Sequence, residues 1–346
     1  MKISQDPRAH ALSSDVGDDT VTNPSAVTGT RCFDDVLGAN LSRRRFVASS
    51  LVMASGVGGL LTGCAKVGLE QDATRFSGVT QQGFDFEEIE HGFSYDHVCA
   101  PDHSAQVLVK WGDPLFEYAP EFNFKEQSVE SQMQQFGYNC DYVGFLGLTP
   151  KAGESDRALL CVNHEYPFPW QTIPDFSGSL DDLTKEQVQI SQASMGNSIV
   201  EVYKQNGEWQ VDRSSEYNRR ITALETKMVV SGPAAGHPRM QTSADPSGRE
   251  VIGTINNCAG GMTPWGTYLT CEENFNYHFG GKLPENHPES ANHARCNVPQ
   301  NYMGWAQQDP RFDIGNEPRE PNRFGWMVEI DPMDPTSMPK KRTAMG

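Results

Sequence analysis

The sequence has no C-x-x-C pair, no P-loop, no Gly-x-Ser-x-Gly elbow and no Gly-x-Gly-x-x-Gly fingerprint. These absences exclude a zinc ribbon, a phosphate cradle of the nucleotide-binding kind, a hydrolase with a serine nucleophile and a dinucleotide fold. Positive charge is also scarce, with 28 basic against 45 acidic residues and a net charge of -17. Nucleic acid and anionic membrane surfaces are therefore excluded as partners, because both would be repelled. Long helical runs free of breakers are missing too. With 32 Gly and 22 Pro and only 37% hydrophobic residues, the chain suits short segments joined by turns rather than a helix bundle. Eight cysteines are too few for a disulfide framework at 346 residues, though a bridge such as Cys99 to Cys140 is compatible with the sequence.

One apolar run does occur. It extends from Phe46 to Leu61, directly after Ser42-Arg43-Arg44-Arg45. Its length fits a signal-peptide core and is short for a membrane span. Ser-Arg-Arg-x-Phe resembles the twin-arginine export motif, which implies passage through the twin-arginine export machinery as a folded protein. Leu61-Thr62-Gly63-Cys64 resembles a lipobox, which would make Cys64 an acylated mature N-terminus. Cleavage without lipidation is the competing reading. On either, residues 1–63 form an export signal region, 64–90 a polar tether, and 91–346 the folded domain.

Within that domain short apolar segments alternate with turn residues. Strands are expected at 106–111, 158–163, 250–256, 266–271 and 325–330. Asn206-Gly207 between two alternating runs predicts a hairpin over 199–211. Helices are predicted at 128–136 and at 183–193, the second with Thr184 and Gln187 at capping-box spacing. The Pro-, Asn- and Glu-rich stretch 281–322 reads as a long insertion or loop. The fold class is all-β, a propeller or sandwich, with a few short helices.

Three constellations carry chemistry. In an extended strand Cys161, Asn163 and Glu165 would share one face, lining up a thiol, an amide and a carboxylate. That donor set suits iron beside calcium. The second is Cys271-Glu272-Glu273-Asn274 at a strand end, just downstream of the Gly-rich run Asn257-Cys258-Ala259-Gly260-Gly261. The third is the loop Ser231 to Arg239 with His237, preceded by Arg219 and Arg220, all suited to phosphate contact. A negatively charged chain that handles phosphate needs bound cations to invert the local field.

Several segments together resemble the PhoX-type alkaline phosphatases. They are Trp111-Gly112-Asp113-Pro114-Leu115, Phe136-Gly137-Tyr138-Asn139, Val162-Asn163-His164-Glu165-Tyr166 and Gly232-Pro233-Ala234-Ala235-Gly236-His237-Pro238. Thr263-Pro264-Trp265-Gly266-Thr267, Thr270-Cys271-Glu272-Glu273-Asn274 and Phe324 to Pro332 follow in the same order. The resemblance covers roughly residues 91–346. It implies a β-propeller holding two iron and several calcium ions that hydrolyses phosphomonoesters in the periplasm or outside the cell. Cys161 would be the iron-ligating thiolate, with Cys271 as the alternative. Glu165 and one or both of Glu272 and Glu273 would be carboxylate ligands. PhoX-type chains continue well beyond the segment resembling Lys341 to Ala344. This chain by itself is therefore expected to be an incomplete propeller of impaired activity. The rival reading is an exported calcium-binding propeller or lipoprotein that binds partners without catalysis.

Overall fold

The computed structural model describes residues 87–154 and 156–345. The twin-arginine motif, Cys64 and the signal region lie outside the described residues, as does most of the tether. Among the described residues no helix is long and apolar enough to cross a membrane.

Among the described residues eleven strands form two sheets. In the first, β1 (Cys140–Leu148), β2 (Asp156–His164), β3 (Gly196–Gln205) and β4 (Glu208–Val211) run as an antiparallel meander. β5 (Arg219–Ile221) pairs with the start of β3. The hairpin is where its turn residues put it, with Asn206 at φ 54° and Gly207 at φ 90°, the positive angles a type I′ turn requires. β2 and β3 are nearly continuous runs of buried residues because both faces of the sheet are covered. Leu159, Cys161 and Ile199 face the larger core, while Ala158, Val162, Val200 and Val202 face a smaller one with Leu115 and Phe136. Alternation along the strand decides which.

The second sheet contains β6 (Lys227–Ser231), β7 (Glu250–Ile252), β8 (Asn257–Met262), β9 (Tyr268–Glu272), β10 (Met327–Ile330) and β11 (Lys340–Arg342). Its order is β7-β6-β11-β10-β9-β8. All pairs are antiparallel except β11 with β6.

Among the described residues four short α-helices punctuate the strands: α1 (Val129–Gln134), α2 (Pro169–Thr172), α3 (Lys185–Ser194) and α4 (Ser290–Arg295). The side chain of Ser128 caps α1, and Thr184 with Gln187 forms the capping box of α3.

Three expectations needed correction. Residues 106–111 form no strand. Instead the Gln106 side chain takes the place of a ladder rung, donating to Trp209 O at 2.8 Å and accepting from Trp209 N at 3.1 Å. The stretch 281–322 is no loose insertion, since it sends Met303, Trp305, Phe312 and Ile314 into the larger core. Its apolar residues are spaced without period, so nothing in the sequence marked them as buried. Cys99 and Cys140 are free thiols and form no bridge.

Two imidazoles make the fold acid-sensitive. His164 and His278 are wholly buried, and burial holds His164 well below its usual range and His278 at about 3. In the unfolded chain each would bind a proton near pH 6.5. Below that pH the unfolded state holds more protons, so stability present above pH 6.5 is lost as the pH falls toward 3. Urea unfolding from pH 7.5 to 5.5 should show stability falling by up to about 1.4 kcal/mol per pH unit for each histidine. His278→Asn should make the slope shallower by one histidine's share.

Candidate metal centre

The two sheets meet along β1 and β8, and small residues allow the approach. A Cβ on Gly260 would collide with the Tyr142 ring, and one on Gly144 would sit 2.9 Å from Met262 Sδ. Each of these strands carries an irregularity at the junction. The register of β1 on β2 shifts between Cys140 and Val143, and that of β8 on β9 between Asn257 and Gly260. Bulges re-aim side chains out of the regular alternation. Here the first holds Asp141 and the second Cys258. Glu165 follows directly after β2, and its backbone N–H donates to Asn139 O at 2.9 Å.

The result is a cluster. One ligand atom from each of Asp141, Glu165 and Cys258 lies within 4.8 Å of the others. The Cys258 thiol donates to Asp141 Oδ2 at 3.0 Å. The amides of Asn139 and Asn256 approach the two Glu165 oxygens, each at 3.4 Å. Burial pushes the Cys258 thiol far up, and its hydrogen bond to Asp141 and the charges of Glu273 and Glu165 add to the effect. A thiol proton is thus held among three carboxylates, where a cation would compensate the same negative charge better. The donor chemistry fits a mixed centre, since thiolate suits a transition metal such as iron and carboxylate and amide oxygens suit calcium.

The other residues singled out from sequence have definite places. Cys161 is fully buried in the larger core, where burial pushes its thiol up to about 12. It does lie on the inner side of β2, but the thiol that reaches Glu165 is Cys258. Asn163 is a tie between the sheets. Its Nδ2 donates to Cys258 O and Ala259 O, and its Oδ1 accepts from Asn197, Thr270 and Tyr268. Glu272 and Glu273 diverge, as neighbours on a strand must. Glu272 turns inward to an ion pair with Lys341 Nζ at 2.7 Å, both side chains fully buried. Burial raises both the Cys258 and the Cys271 thiols, and the charge of Glu273 adds to the effect at each. The Glu273 N–H donates to Asn256 O at 3.0 Å.

Asp141 and Cys258 were missed. The Gly-rich run around Cys258 was the available signal, and Asp141 lies just past Phe136-Gly137-Tyr138-Asn139.

A family model described as alkaline phosphatase PhoX matches residues 84–346. The chain belongs to the PhoX family. It is also similar to the solved structure of Pseudomonas fluorescens PhoX in complex with vanadate, a transition state analogue, at 40% identity and a TM-score of 0.69. That match covers 75% of this chain and 44% of the other, so the chain spans less than half the length of that PhoX. No curated protein matches the chain.

The two residues chosen for phosphate contact differ from each other in this PhoX-family fold. Arg219 donates to the backbone carbonyls of Asp331, Asp334 and Ser337, which pins the β10–β11 connection. His237 is exposed and lines a cavity of about 560 Å³ with Arg239, His293 and Trp326. None of Asp141, Glu165 and Cys258 lines that cavity.

Proposed function

We propose that the chain is part of a metal-dependent phosphomonoesterase of the cell envelope, with iron and calcium at the Asp141–Glu165–Cys258 cluster. The convergence of these three side chains at the sheet junction, inside the segment matched by the PhoX family, carries the reading. Bound cations would supply the positive charge that grips phosphoryl oxygens and stabilises the transition state. The protein's own part is to hold the donors. Asp141 and Glu165 would offer oxygens, Cys258 would bind as a thiolate with its proton released to solvent, and Glu273 would add negative charge nearby. Asn139 and Asn256 orient Glu165 through its two oxygens. His237 is the solvent-facing candidate for phosphate contact, and Arg219 could join only by leaving its three carbonyls.

The two sheets are read as part of a β-propeller over residues 91–346, preceded by a tether at 64–90 and an export signal region at 1–63. Export would use the twin-arginine machinery and place the protein in the periplasm or outside the cell. A lipid on Cys64 would attach it to the membrane.

The deciding experiment is metal analysis combined with p-nitrophenyl phosphate turnover, with and without a calcium chelator. It is best run on protein that includes any sequence following Gly346 in its gene. Bound iron and calcium, with turnover that chelation abolishes, is the expected result. Calcium without iron, and no turnover, would favour the exported calcium-binding role.

A further inference from the structure

The cavity that His237 lines takes no residue from the metal cluster, and two unlike sets of side chains build its wall. Its volume of about 560 Å³ falls inside the range of about 300–1,000 Å³ that small-molecule pockets occupy. Met240, Phe275, Val298, Phe324 and Trp326 make an apolar part of the wall. Arg239 and Arg295, with Asn292 and Asn322, make a polar part. Among the described residues that line it none is a carboxylate, although the chain as a whole carries a net charge of -17.

The polar residues form one connected edge. Arg239 grips the Glu289 carboxylate through Nε at 3.1 Å and Nη2 at 2.6 Å. Asn322 Nδ2 donates to the same carboxylate at 3.2 Å, and Asn322 Oδ1 accepts from Asn292 Nδ2 at 2.6 Å. Arg295 Nη2 in turn approaches Asn292 Oδ1 at 3.4 Å. This chain of contacts ties both guanidinium groups to a single edge of the cavity. Glu289 is buried and committed to Arg239 and Asn322. Among the described residues Arg295 makes no ion pair, and Arg239 keeps Nη1 to spare. His237 accepts from the Arg239 N–H through Nδ1 at 3.2 Å, which leaves Nε2–H as a further donor. Trp326 spends its indole N–H on Asn322 O at 3.0 Å, so what remains of its ring is apolar wall.

Guanidinium groups present paired N–H donors that match a carboxylate, and aromatic walls favour a flat apolar body. We propose that this cavity binds a small aromatic carboxylate, with its ring against Phe275 and Trp326 and its charge on Arg295 and the free edge of Arg239. The site is separate from the metal centre and does not depend on the phosphatase reading.

Calorimetry on the protein, including any sequence that follows Gly346 in its gene, compares 2-naphthoate, 2-naphthamide and acetate. Naphthoate should bind about tenfold more tightly than naphthamide, which has the same body without the charge, and acetate should not bind measurably. Arg295→Gln, at an exposed position, should reduce the naphthoate-to-naphthamide ratio to about two. Lys110→Gln removes a cation that does not line the cavity and should leave the ratio near ten. Cys296 also lines the cavity and is half-buried. Its alkylation by iodoacetamide, followed by peptide mass spectrometry, should slow at least fivefold when naphthoate saturates the protein, while that of Cys99 should not change. Failure of naphthoate to bind, equal binding of naphthoate and naphthamide, a ratio untouched by Arg295→Gln, or unchanged labelling of Cys296 overturns the site.

Discussion

Cys258→Ala should lower the affinity for the transition metal of the proposed centre by more than 100-fold and abolish the proposed metal-dependent phosphoester hydrolysis, whereas Cys161→Ala should leave both near the parent level. The contrast follows from position. Cys258 donates its thiol proton to Asp141 and faces the charges of Glu165 and Glu273, so the alanine removes a donor from the centre. Losing even a supporting contact at a metal site costs 10- to 100-fold, and losing the ligand should cost more. Cys161 sits in apolar surroundings at no measurable exposure. Its truncation leaves a small cavity, worth about 1 kcal/mol of stability. Metal content by plasma emission and turnover of p-nitrophenyl phosphate read the two variants side by side. Loss of metal in Cys161→Ala with retention in Cys258→Ala would reverse the assignment.

The same pair of cysteines shows what the sequence could and could not convey. Some elements are written in short-range chemistry alone. The Asn206-Gly207 hairpin, the capped start of α3 and the buried strand β2 all follow from local chemistry that acts over a few residues. Cys161 and Glu165 also obey a period of two, and that regularity made Cys161 attractive as a ligand. The Asp141–Glu165–Cys258 cluster forms where the period fails. Asp141 and Cys258 both lie in register shifts, and a bulge breaks the alternation on which any prediction of facing depends. Their meeting also joins residues 117 apart across two sheets, a juxtaposition set by the close approach at Gly144 and Gly260 rather than by any local signal. Glu165, which follows the regular strand β2 directly, was legible as a carboxylate beside that strand's end. The adjacent acids Glu272 and Glu273 were legible as a pair but not in their roles. The ion pair with buried Lys341 in β11, 69 residues away, shows that Glu272 is turned inward.

That inward pair is the second place where a single change should matter most. Lys341 and Glu272 are both fully buried and 2.7 Å apart. Glu272 also accepts from Thr254 Oγ1 at 2.8 Å, Ile255 N at 3.3 Å and Trp326 N at 3.2 Å, so it ties the end of β9 to the turn that carries Asn256. Lys341 donates to Arg323 O at 3.0 Å and rests over the Phe324 ring at 3.8 Å. Burial pulls its amine down to about 8, which still leaves it protonated at neutral pH. Lys341→Met would leave the Glu272 carboxylate buried without its cation, and breaking a buried pair in this way costs about 3–5 kcal/mol. Replacing both partners, as in Lys341→Met with Glu272→Leu, removes the stranded charge but also the three hydrogen bonds that Glu272 accepts. The double variant should therefore recover only part of the loss. Urea unfolding of the single and double variants measures this. A single variant within about 1 kcal/mol of the parent would mean that the pair adds nothing to the fold, and that β9 is held at this end by its backbone ladder alone.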